Sequence, residues 1–452
     1  MKIIIAGAGD VGSHLAKMLS TGNHDIVLLD SDEERLKEVG VDLHSVTLAG
    51  SATSIEKLLN VGIARTDLFI SVTNSEQVNI NSAILAKKLG AHKCLARIDN
   101  LEYLSEENKE YFSQLGIDYM FYPELLAATE IINLIQQSGT TDIMSFAAGK
   151  LFLYVMRMDE NAPALNQTIE EFHNLSKEAE YKVVAISRMC ETILPKSTEK
   201  LEDKDQVYII TTQRGIDLLM KYFGKKSVDV KNVMILGGSR IGRNTAKQLG
   251  RSHSVKLIER DRSKSYTIAN ELHGTIVING DGTNVDLMEY EGLANMDAFI
   301  SVTGNSETNM LACMLAKRMG VKKTIAEVEN TAYLKLAENM GIDTIVNKKI
   351  ITASKIFGFT MADDVSTVKC LTGSDAEVIE YVAKPESRIT QGTLKEVGFP
   401  HEAVIGGLVR GRNTIIPDAD TVIKPFDRVV IFALPNAIDK VGKFFNAQNR
   451  FF

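Results

Sequence analysis

The most constraining feature of this sequence is that it repeats itself in order. Residues 3–12, IIIAGAGDVG, recur as VMILGGSRIG at residues 233–242. At the same spacing of 230 residues, DLFISVT at residues 67–73 recurs as DAFISVT at residues 297–303. Because the matching segments keep their order, the sequence indicates a tandem duplication of a unit a little over two hundred residues long.

The first part of each unit alternates short apolar runs with helix-like stretches. In the first unit the predicted strands are Lys2–Ala6, Asp25–Asp30, Ser45–Ala49, Leu68–Val72 and Lys93–Arg97, and the predicted helices include Val11–Ser20 and Glu76–Leu89. Strand, helix and strand at this spacing predict right-handed crossovers and a Rossmann-like, doubly wound parallel sheet. Strands such as IIIA are apolar throughout, as is typical when helices cover both faces of a sheet.

The second part of each unit has a different pattern. Residues 182–211 and 404–433 align as a strand, a turn, a strand containing Ile-x-Pro, a charged loop and an apolar strand. A final helix follows at Ile216–Phe223 and Ile438–Phe445. Short strands joined by turns predict a small α+β domain with an antiparallel sheet. We therefore expect an α/β fold with Rossmann-like domains at 1–139 and 227–362 and small domains at 140–226 and 363–452.

Composition excludes several classes of function. The net charge of the 452 residues is -7, from 51 basic and 58 acidic residues, which argues against a nucleic-acid binder or a polybasic membrane anchor. The sequence has no apolar run long enough to predict a transmembrane helix, so we expect a cytoplasmic protein. The four cysteines form no CxxC pair, and we expect neither a zinc site nor a disulfide framework.

The first repeat opens with a dinucleotide-binding fingerprint, formed by Gly7, Ala8, Gly9, Asp10, Val11 and Gly12. In such a motif the first glycine permits a tight turn, the second lets the backbone approach a pyrophosphate and the third packs helix on strand. Asp30 ends the next strand, where an acidic residue holds the adenosine ribose hydroxyls and favours NAD(H) over NADP(H). The alternative is a Rossmann-type domain that keeps its glycines for packing alone.

The second repeat departs from this fingerprint. Its motif reads Gly237, Gly238, Ser239, Arg240, Ile241 and Gly242, and Glu259 takes the place of Asp30. Ser239 adds a side chain where backbone should approach a pyrophosphate. Arg240 begins a basic helix, which is either a phosphate-binding element or a solvated face.

Further candidates follow later strands of the sheet. Thr73 and Asn74 come after the fourth strand, at the carboxyl edge where open α/β sheets bind ligands. They either bond the nucleotide or cap the next helix. Arg97 ends the fifth strand, where its side chain reaches either a phosphate or a neighbouring subunit. The corresponding residues of the second repeat are Thr303, Gly304 and Glu327, and Glu327 reverses the charge of Arg97.

No motif for hydride transfer or hydrolysis accompanies these nucleotide motifs. The eight histidines are scattered, and G-x-S-x-G, H-E-x-x-H and P-loop patterns do not occur in the sequence. A nucleotide site without reaction machinery favours sensing over catalysis. Two alternatives stay open: an NAD-dependent oxidoreductase with two fused Rossmann halves, and a purely structural adaptor.

A GAGDVG-type nucleotide domain followed by a small domain with an Ile-x-Pro strand resembles the RCK family, the regulators of K⁺ conductance. Two such units in one chain resemble the regulatory subunits of bacterial Trk-type potassium uptake. The resemblance implies a non-enzymatic protein, peripheral on the inner face of the plasma membrane, that gates an integral K⁺-translocating subunit as a homotetrameric ring. It implies NAD(H) at the first site and NAD(H) or ADP/ATP at the second. No metal ligands are predicted. The implied contacts are Gly7 to Val11, Asp30, Thr73, Asn74 and Arg97, and in the second repeat Gly237 to Ile241, Glu259, Thr303, Gly304 and Glu327.

Overall fold

Each half of the chain begins with a six-stranded parallel sheet. The computed structural model describes residues 1–20, 24–40, 46–136, 142–147, 149–175, 180–189, 191–224, 230–357, 359, 365–370 and 376–445. The strands of the first parallel sheet are β1 (Lys2–Ala6), β2 (Asp25–Asp30), β3 (Val46–Ala49), β4 (Leu68–Ser71), β5 (Lys93–Arg97) and β6 (Tyr119–Phe121). The helices of this half are α1 (Asp10–Ser20), α2 (Glu33–Gly40), α3 (Ile55–Asn60), α4 (Glu76–Lys88), α5 (Glu106–Gln114) and α6 (Pro123–Gln136).

The small domain of the first half follows α6. Its strands are β7 (Asp142–Phe146), β8 (Leu151–Arg157), β9 (Tyr181–Arg188), β10 (Glu191–Ile193) and β11 (Gln206–Thr211), and its helices are α7 (Ile169–Leu175) and α8 (Gln213–Tyr222). The strands lie in the order β10-β9-β11-β8-β7 and pair antiparallel.

The second half repeats this architecture. Its parallel sheet comprises β12 (Asn232–Leu236), β13 (Ser254–Glu259), β14 (Thr275–Asn279), β15 (Ala298–Ser301), β16 (Lys323–Glu327) and β17 (Thr344–Val346). Its helices are α9 (Arg240–Leu249), α10 (Arg262–Glu271), α11 (Val285–Tyr290), α12 (Ser306–Arg318), α13 (Leu334–Asn339) and α14 (Lys348–Phe357). The second small domain comprises β18 (Val365–Cys370), β19 (Glu377–Val382), α15 (Leu394–Val397), β20 (Ala403–Arg410), β21 (Asn413–Ile415), β22 (Arg428–Ala433) and α16 (Ile438–Phe445).

The strand order of both parallel sheets confirms the Rossmann-like fold class. The orders are β3-β2-β1-β4-β5-β6 and β14-β13-β12-β15-β16-β17. The strands stay parallel, but the order in which the chain adds them to the sheet changes direction between β1 and β4. These two strands pair with Ile3 opposite Leu68. Helices cover both faces, so Ile3, Ile4 and Ile5 of β1 are all fully buried. The reversal opens a crevice at the carboxyl ends of β1 and β4, the place where such sheets bind ligands.

The observed elements follow the predicted ones closely, with shifts of one to three residues at several ends. Ser45, predicted to begin the third strand, lies outside the described residues. All three predicted domain boundaries also lie outside them, so the domain limits stay a prediction. Among the described residues, no helix has the length and apolar character that crossing a membrane requires.

The compact units of the structure cut across the two repeats. The first unit combines residues 1–126 with α14, and the second holds residues 127–347 with the second small domain. Helix α14 packs along α1, with Lys349 Nζ 3.2 Å from Asp10 Oδ1. In the second unit, Lys323 Nζ donates a hydrogen bond to the carbonyl of Leu134 on α6. The last helix of each nucleotide domain therefore contributes to the compact unit of the other.

The two small sheets share one apolar core. Tyr208 of β11 and Phe432 of β22 place their ring centroids 5.8 Å apart. At Gly406 of β20, a Cβ atom would stand 2.1 Å from Ile210 Cδ1, so the strands can approach this closely only without a side chain there. A polar contact also joins the two small domains, because Lys182 Nζ donates a hydrogen bond to the Pro417 carbonyl oxygen at 3.0 Å. The two small domains are thus held together by side-chain packing between their sheets and not by a linker alone.

One buried carboxyl group in the second small domain lacks a complete set of partners. Glu377 begins β19, is 6% exposed, and its Oε2 atom has no hydrogen-bond partner among the described residues. Burial raises the pKa of Glu377 to about 7. Desolvation disfavours the charged form, so this side chain costs stability wherever it must ionise.

We expect Glu377→Gln to stabilise the chain above neutral pH. The folded-state pKa lies above the ordinary value of 4.5, so wild-type stability from this group is complete below about pH 4.5 and is lost as pH rises through about 7. The variant should gain up to about 3 kcal/mol at about pH 8.5 and nothing at about pH 4.5, as measured by urea unfolding. An identical pH dependence in both proteins would contradict the expectation.

Candidate functional site

A cavity lies at the crevice of the first parallel sheet. It measures about 380 Å³, within the range of small-molecule sites. Its lining comes from the carboxyl ends of β1 to β4, namely Gly7, Gly9, Leu29, Asp30, Ser31, Arg35, Gly50, Ser51, Ala52, Val72, Thr73, Asn74, Ser75 and Val78. The structure therefore brings together Gly7, Gly9, Asp30, Thr73 and Asn74, which sequence analysis selected from three separate segments.

The three glycines of the fingerprint are glycine for different physical reasons. Gly7 has φ +111, and a Cβ atom there would lie 2.8 Å from the backbone nitrogen of Thr73. A Cβ atom on Gly12 would lie 1.8 Å from the Gly7 carbonyl oxygen. Gly9 differs, because a Cβ atom there meets no protein atom within 4 Å. Packing explains Gly7 and Gly12, whereas at Gly9 a side chain would meet only what enters the cavity.

Asp30 organises one end of the first cavity through hydrogen bonds from the backbone. Its Oδ2 atom accepts a hydrogen bond from the Ala8 backbone N–H at 2.6 Å, and its Oδ1 atom accepts one from the Asp32 N–H at 2.9 Å. Arg35 NH1 lies 3.7 Å from Oδ2, beyond hydrogen-bond distance. A carboxylate offers about four lone-pair positions, so Asp30 keeps acceptor capacity for two ribose hydroxyl groups.

Buried Asn79 holds the loop that carries Thr73 and Asn74. Its Oδ1 atom accepts hydrogen bonds from the Thr73 N–H at 2.8 Å and the Thr73 hydroxyl at 2.7 Å. Its Nδ2 atom donates to the carbonyls of Thr73 and Arg97, each at 3.1 Å. Asn309 repeats this arrangement in the second half with Thr303 and Glu327. Neither residue was predicted from the sequence, although Asn79 and Asn309 are separated by the 230 residues that separate the two repeats.

A second cavity occupies the same place in the second parallel sheet. It measures about 320 Å³. It is lined by Leu236, Gly237, Gly238, Ser239, Ile258, Glu259, Arg260, Lys264, Asp281, Gly282, Thr283, Thr303, Gly304, Asn305 and Thr308. The predicted residues Gly237, Gly238, Ser239, Glu259, Thr303 and Gly304 thus lie together.

Glu259 is accommodated by the glycine at position 238. The Gly238 N–H donates to Glu259 Oε2 at 3.0 Å, which matches the Ala8 to Asp30 bond of the first half. Glutamate is one methylene longer, and a Cβ atom on Gly238 would lie 2.7 Å from Oε2 and 2.3 Å from Ile268 Cδ1. The longer acid therefore requires glycine where the first half has Ala8.

The ionisation of Glu259 is controlled by its partners. Burial alone would raise its pKa, but hydrogen bonds from Lys264 Nζ and from the Asp261 and Gly238 N–H groups outweigh it, so the pKa of Glu259 is lowered. The group is thus a carboxylate at neutral pH, already bonded to the protein.

Ser239 changes the end of the second cavity where α9 begins. Its hydroxyl donates to the Val302 carbonyl at 2.7 Å and accepts the Gly242 N–H at 3.2 Å, which makes it the N-cap of α9. One N–H at this helix terminus therefore has a protein partner. Gly9, the residue at this place in the first half, has no side chain that could occupy the start of α1.

Several predicted residues do not line either cavity. Ala8, Asp10, Val11, Gly12, Arg240, Ile241 and Gly242 belong to the glycine turns and the first turns of α1 and α9 without contributing to the linings. Arg97 NH2 lies 3.5 Å from Asp99 Oδ1 and 3.6 Å from Glu124 Oε1, outside the first cavity. Glu327 is 4% exposed and also lies outside the lining of its cavity. The phosphate-binding roles of these residues stay predictions.

The cavities also contain residues that sequence analysis did not select. Arg35 follows Asp30 by five residues, as Lys264 follows Glu259, and the segments AGSAT at 49–53 and NGDGT at 279–283 each begin with the last residue of the third strand of their sheet. The repeat preserves both features, so its spacing would have identified them. Among the described residues, no group of three or more His, Cys, Asp or Glu side chains forms a metal cluster.

We expect Asn79→Leu to destabilise the protein by about 2–4 kcal/mol, because it leaves buried backbone groups of Thr73 and Arg97 unpaired. Asn309→Leu should have a similar effect. Exposed Asn74 is the control, and Asn74→Ala should change stability by less than about 0.5 kcal/mol. The measurement is urea unfolding; an Asn79→Leu protein as stable as wild type would show that this amide does not hold the loop.

Comparison with known proteins agrees with the fold and the repeat. The TrkA-N domain family model matches residues 3–123 and 233–348, and the TrkA-C domain model matches residues 153–224 and 378–446. The Trk system potassium uptake protein TrkA homolog 1 of Methanosarcina mazei is 32% identical over 98% of this chain and 100% of its own. The Trk system potassium uptake protein TrkA of Vibrio alginolyticus is 32% identical over 96% of this chain and 95% of its own.

Solved structures show the same fold at low identity. The GsuK channel bound to NAD superposes with a TM-score of 0.61 at 16% identity, covering 98% of this chain and 78% of the channel chain. GsuK bound to ADP superposes with a TM-score of 0.51 at 14% identity, covering 79% and 68%. With both domain models matched twice and relatives similar over their full length, the chain belongs to the TrkA family of Trk potassium uptake proteins.

Proposed function

We propose that this chain is the nucleotide-sensing regulatory subunit of a Trk-type potassium uptake system. It binds NAD(H) at the first cavity and NAD(H) or ADP/ATP at the second, and it gates an integral K⁺-translocating subunit. Four chains form a ring beneath that subunit on the cytoplasmic face of the plasma membrane. Full-length similarity to TrkA proteins supports the potassium system, and the two crevice cavities support the nucleotides.

The open space at Gly9 carries the nucleotide part of the proposal. A glycine kept for packing alone would meet protein atoms at its missing Cβ, as Gly7 and Gly12 do. Gly9 meets none, so a side chain there would leave the protein undisturbed and would obstruct only a group that binds from outside. A pyrophosphate at the start of α1 fits this place, because the helix terminus presents N–H donors and a positive dipole to it.

Binding regulates only if it favours one arrangement of the units. A nucleotide shifts the equilibrium by its difference in affinity between the two arrangements and by no more. The domain-exchanged helices α6 and α14 supply a physical route, because a change at α1 acts directly on α14 of the other repeat. The nucleotide needs no chemical conversion in this scheme.

Replacing Gly9 by Ser should weaken NADH at the first site at least tenfold without lowering the thermal unfolding midpoint. A Cβ atom at position 9 meets no protein atom, and the serine hydroxyl should cap α1 as Ser239 caps α9, so the loss is expected in ligand binding and not in stability. Calorimetric titration of NADH measures the affinity, and potassium uptake by the chain reconstituted with its membrane subunit measures the consequence.

Gly304→Ser is the matched control, because a Cβ atom there also meets nothing within 4 Å and lies in the other cavity. It should leave the affinity of the first site unchanged. Equal NADH affinity in wild type and Gly9→Ser would refute nucleotide binding at the first cavity. Unchanged potassium flux on adding NADH, ADP or ATP would refute the regulatory role.

The rival proposal is an oxidoreductase with two fused nucleotide halves. The first cavity is lined by glycines, small polar groups, apolar side chains, Asp30 and Arg35, with no His, Cys or Tyr in its described lining to serve as proton donor or acceptor. We therefore expect NADH to bind without turnover. Sustained NADH oxidation with any small metabolite at roughly 1–1000 per second would favour the enzyme.

A further inference from the structure

Two cations flank the ribose acid of the second cavity. Arg260 follows Glu259 directly, Lys264 lies in the first turn of α10, and both line the cavity. In the first half, Ser31 stands at the position of Arg260 and Arg35 at that of Lys264. The second cavity therefore has a basic side chain that the first lacks, together with one additional acid, Asp281, where the first has Ser51.

Lys264 neutralises Glu259 by direct contact. Its Nζ atom donates to Glu259 Oε2 at 2.7 Å, and the Gly238 and Asp261 N–H groups donate to the same carboxylate at 3.0 and 2.9 Å. Three of about four acceptor positions are thus used by the protein. Glu259 has little capacity left for two ribose hydroxyl groups, in contrast to Asp30.

Arg35 does not play the same part in the first cavity. Its NH1 atom is 3.7 Å from Asp30 Oδ2 and its NH2 atom is 3.5 Å from Asp32 Oδ2. One guanidinium therefore lies between two carboxylates. The only cation among the described residues of this cavity lining is thus already shared between two carboxylates, and that lining has no second cation to bind an added phosphate.

Arg260 is positioned to bind an anion. Its side chain is 83% exposed, and its Nε atom is 3.6 Å from Asp281 Oδ2, beyond hydrogen-bond distance. A guanidinium offers five donors in a planar fork that matches the oxygens of a phosphate. Turning about its side-chain bonds lets Arg260 exchange the weak contact with Asp281 for a phosphate in the cavity.

Given the nucleotide binding proposed above, on which this inference rests, we propose that among adenine nucleotides the second cavity prefers those with an additional phosphate on the adenosine ribose, the class that includes NADP(H). Arg260 and Lys264 bind that phosphate, and Glu259 serves to hold Lys264 and the glycine turn. The first cavity, with Asp30 and Ser31, takes the nucleotide without that phosphate. The two halves then respond to different pools of dinucleotide.

The test compares adenosine 2′,5′-bisphosphate with adenosine 5′-monophosphate, which differ only in the ribose phosphate. In calorimetric titration of the full chain, one site should bind the bisphosphate at least tenfold more tightly than the monophosphate. This preference should fall with added salt, because the contacts are ionic and partly exposed.

Arg260→Ser places the residue of the first half in the second and, at an exposed position, should leave the fold intact. It should reduce bisphosphate affinity at least fivefold and change monophosphate affinity less than twofold. Lys264→Gln should act in the same direction. Arg35→Gln is the matched control in the other cavity and should leave the bisphosphate preference of the second cavity unchanged.

Equal affinity of wild type for the two probes would overturn this inference while leaving the proposed function intact. So would a bisphosphate preference that survives Arg260→Ser or is removed by Arg35→Gln instead. Failure of both probes and of NADH to bind would overturn the proposed nucleotide function together with this inference.

Discussion

The two crevices depend on the rule that buried backbone groups must find hydrogen-bond partners. Where the fourth strand of each parallel sheet ends, the chain turns and leaves the ladder, and its N–H and C=O groups lose their neighbours. A single buried amide, Asn79 in one half and Asn309 in the other, pairs with them and ties the fourth strand to the fifth. The glycine turn packs against this fixed loop, since Gly7 and Gly237 approach its backbone too closely for any side chain. The shape of the crevice thus follows from two amides and two glycines.

On this common scaffold, small changes at the rim make two different sites. The second half has the longer acid, Glu259 in place of Asp30, and the smaller turn residue, Gly238 in place of Ala8. In both halves the carboxylate accepts a hydrogen bond from the N–H of that turn residue. Glu259 Oε2 accepts a hydrogen bond from Lys264 at 2.7 Å, whereas Asp30 Oδ2 and Arg35 NH1 stay 3.7 Å apart. At the other end, Ser239 caps the helix that Gly9 leaves uncovered. The duplication preserved the framework while charge and hydrogen-bond capacity changed separately at each end.

Most of the fold could be predicted from the sequence, because the periodicity of apolar residues and the spacing of the repeat each constrain it. The first five strands of the parallel sheet, the strand-to-helix place of the glycine motif and the antiparallel character of the small domains could be inferred from residue pattern. Strands β6, β7 and β8 were not predicted. Helix exchange could not, because nothing in the local sequence of α6 or α14 specifies which nucleotide domain it packs on. Nor could the side chains around Glu259, since the reach of Lys264 depends on helix geometry after the strand. Arg97 was selected for its place at a strand end, but in three dimensions its nearest charges are Asp99 and Glu124.

The exchange of α14 gives this chain an unusual order of assembly on the ribosome. The first nucleotide domain has its sheet and most of its helices once about 126 residues are made, yet the helix that covers α1 begins only at Lys348. At roughly 5–20 residues per second, synthesis of the intervening segment takes on the order of 10–45 s. During that interval the side of α1 that α14 will cover, which includes Asp10, lacks its partner helix. Covalent fusion of the two repeats places the missing helix on the same molecule and so at a high local concentration.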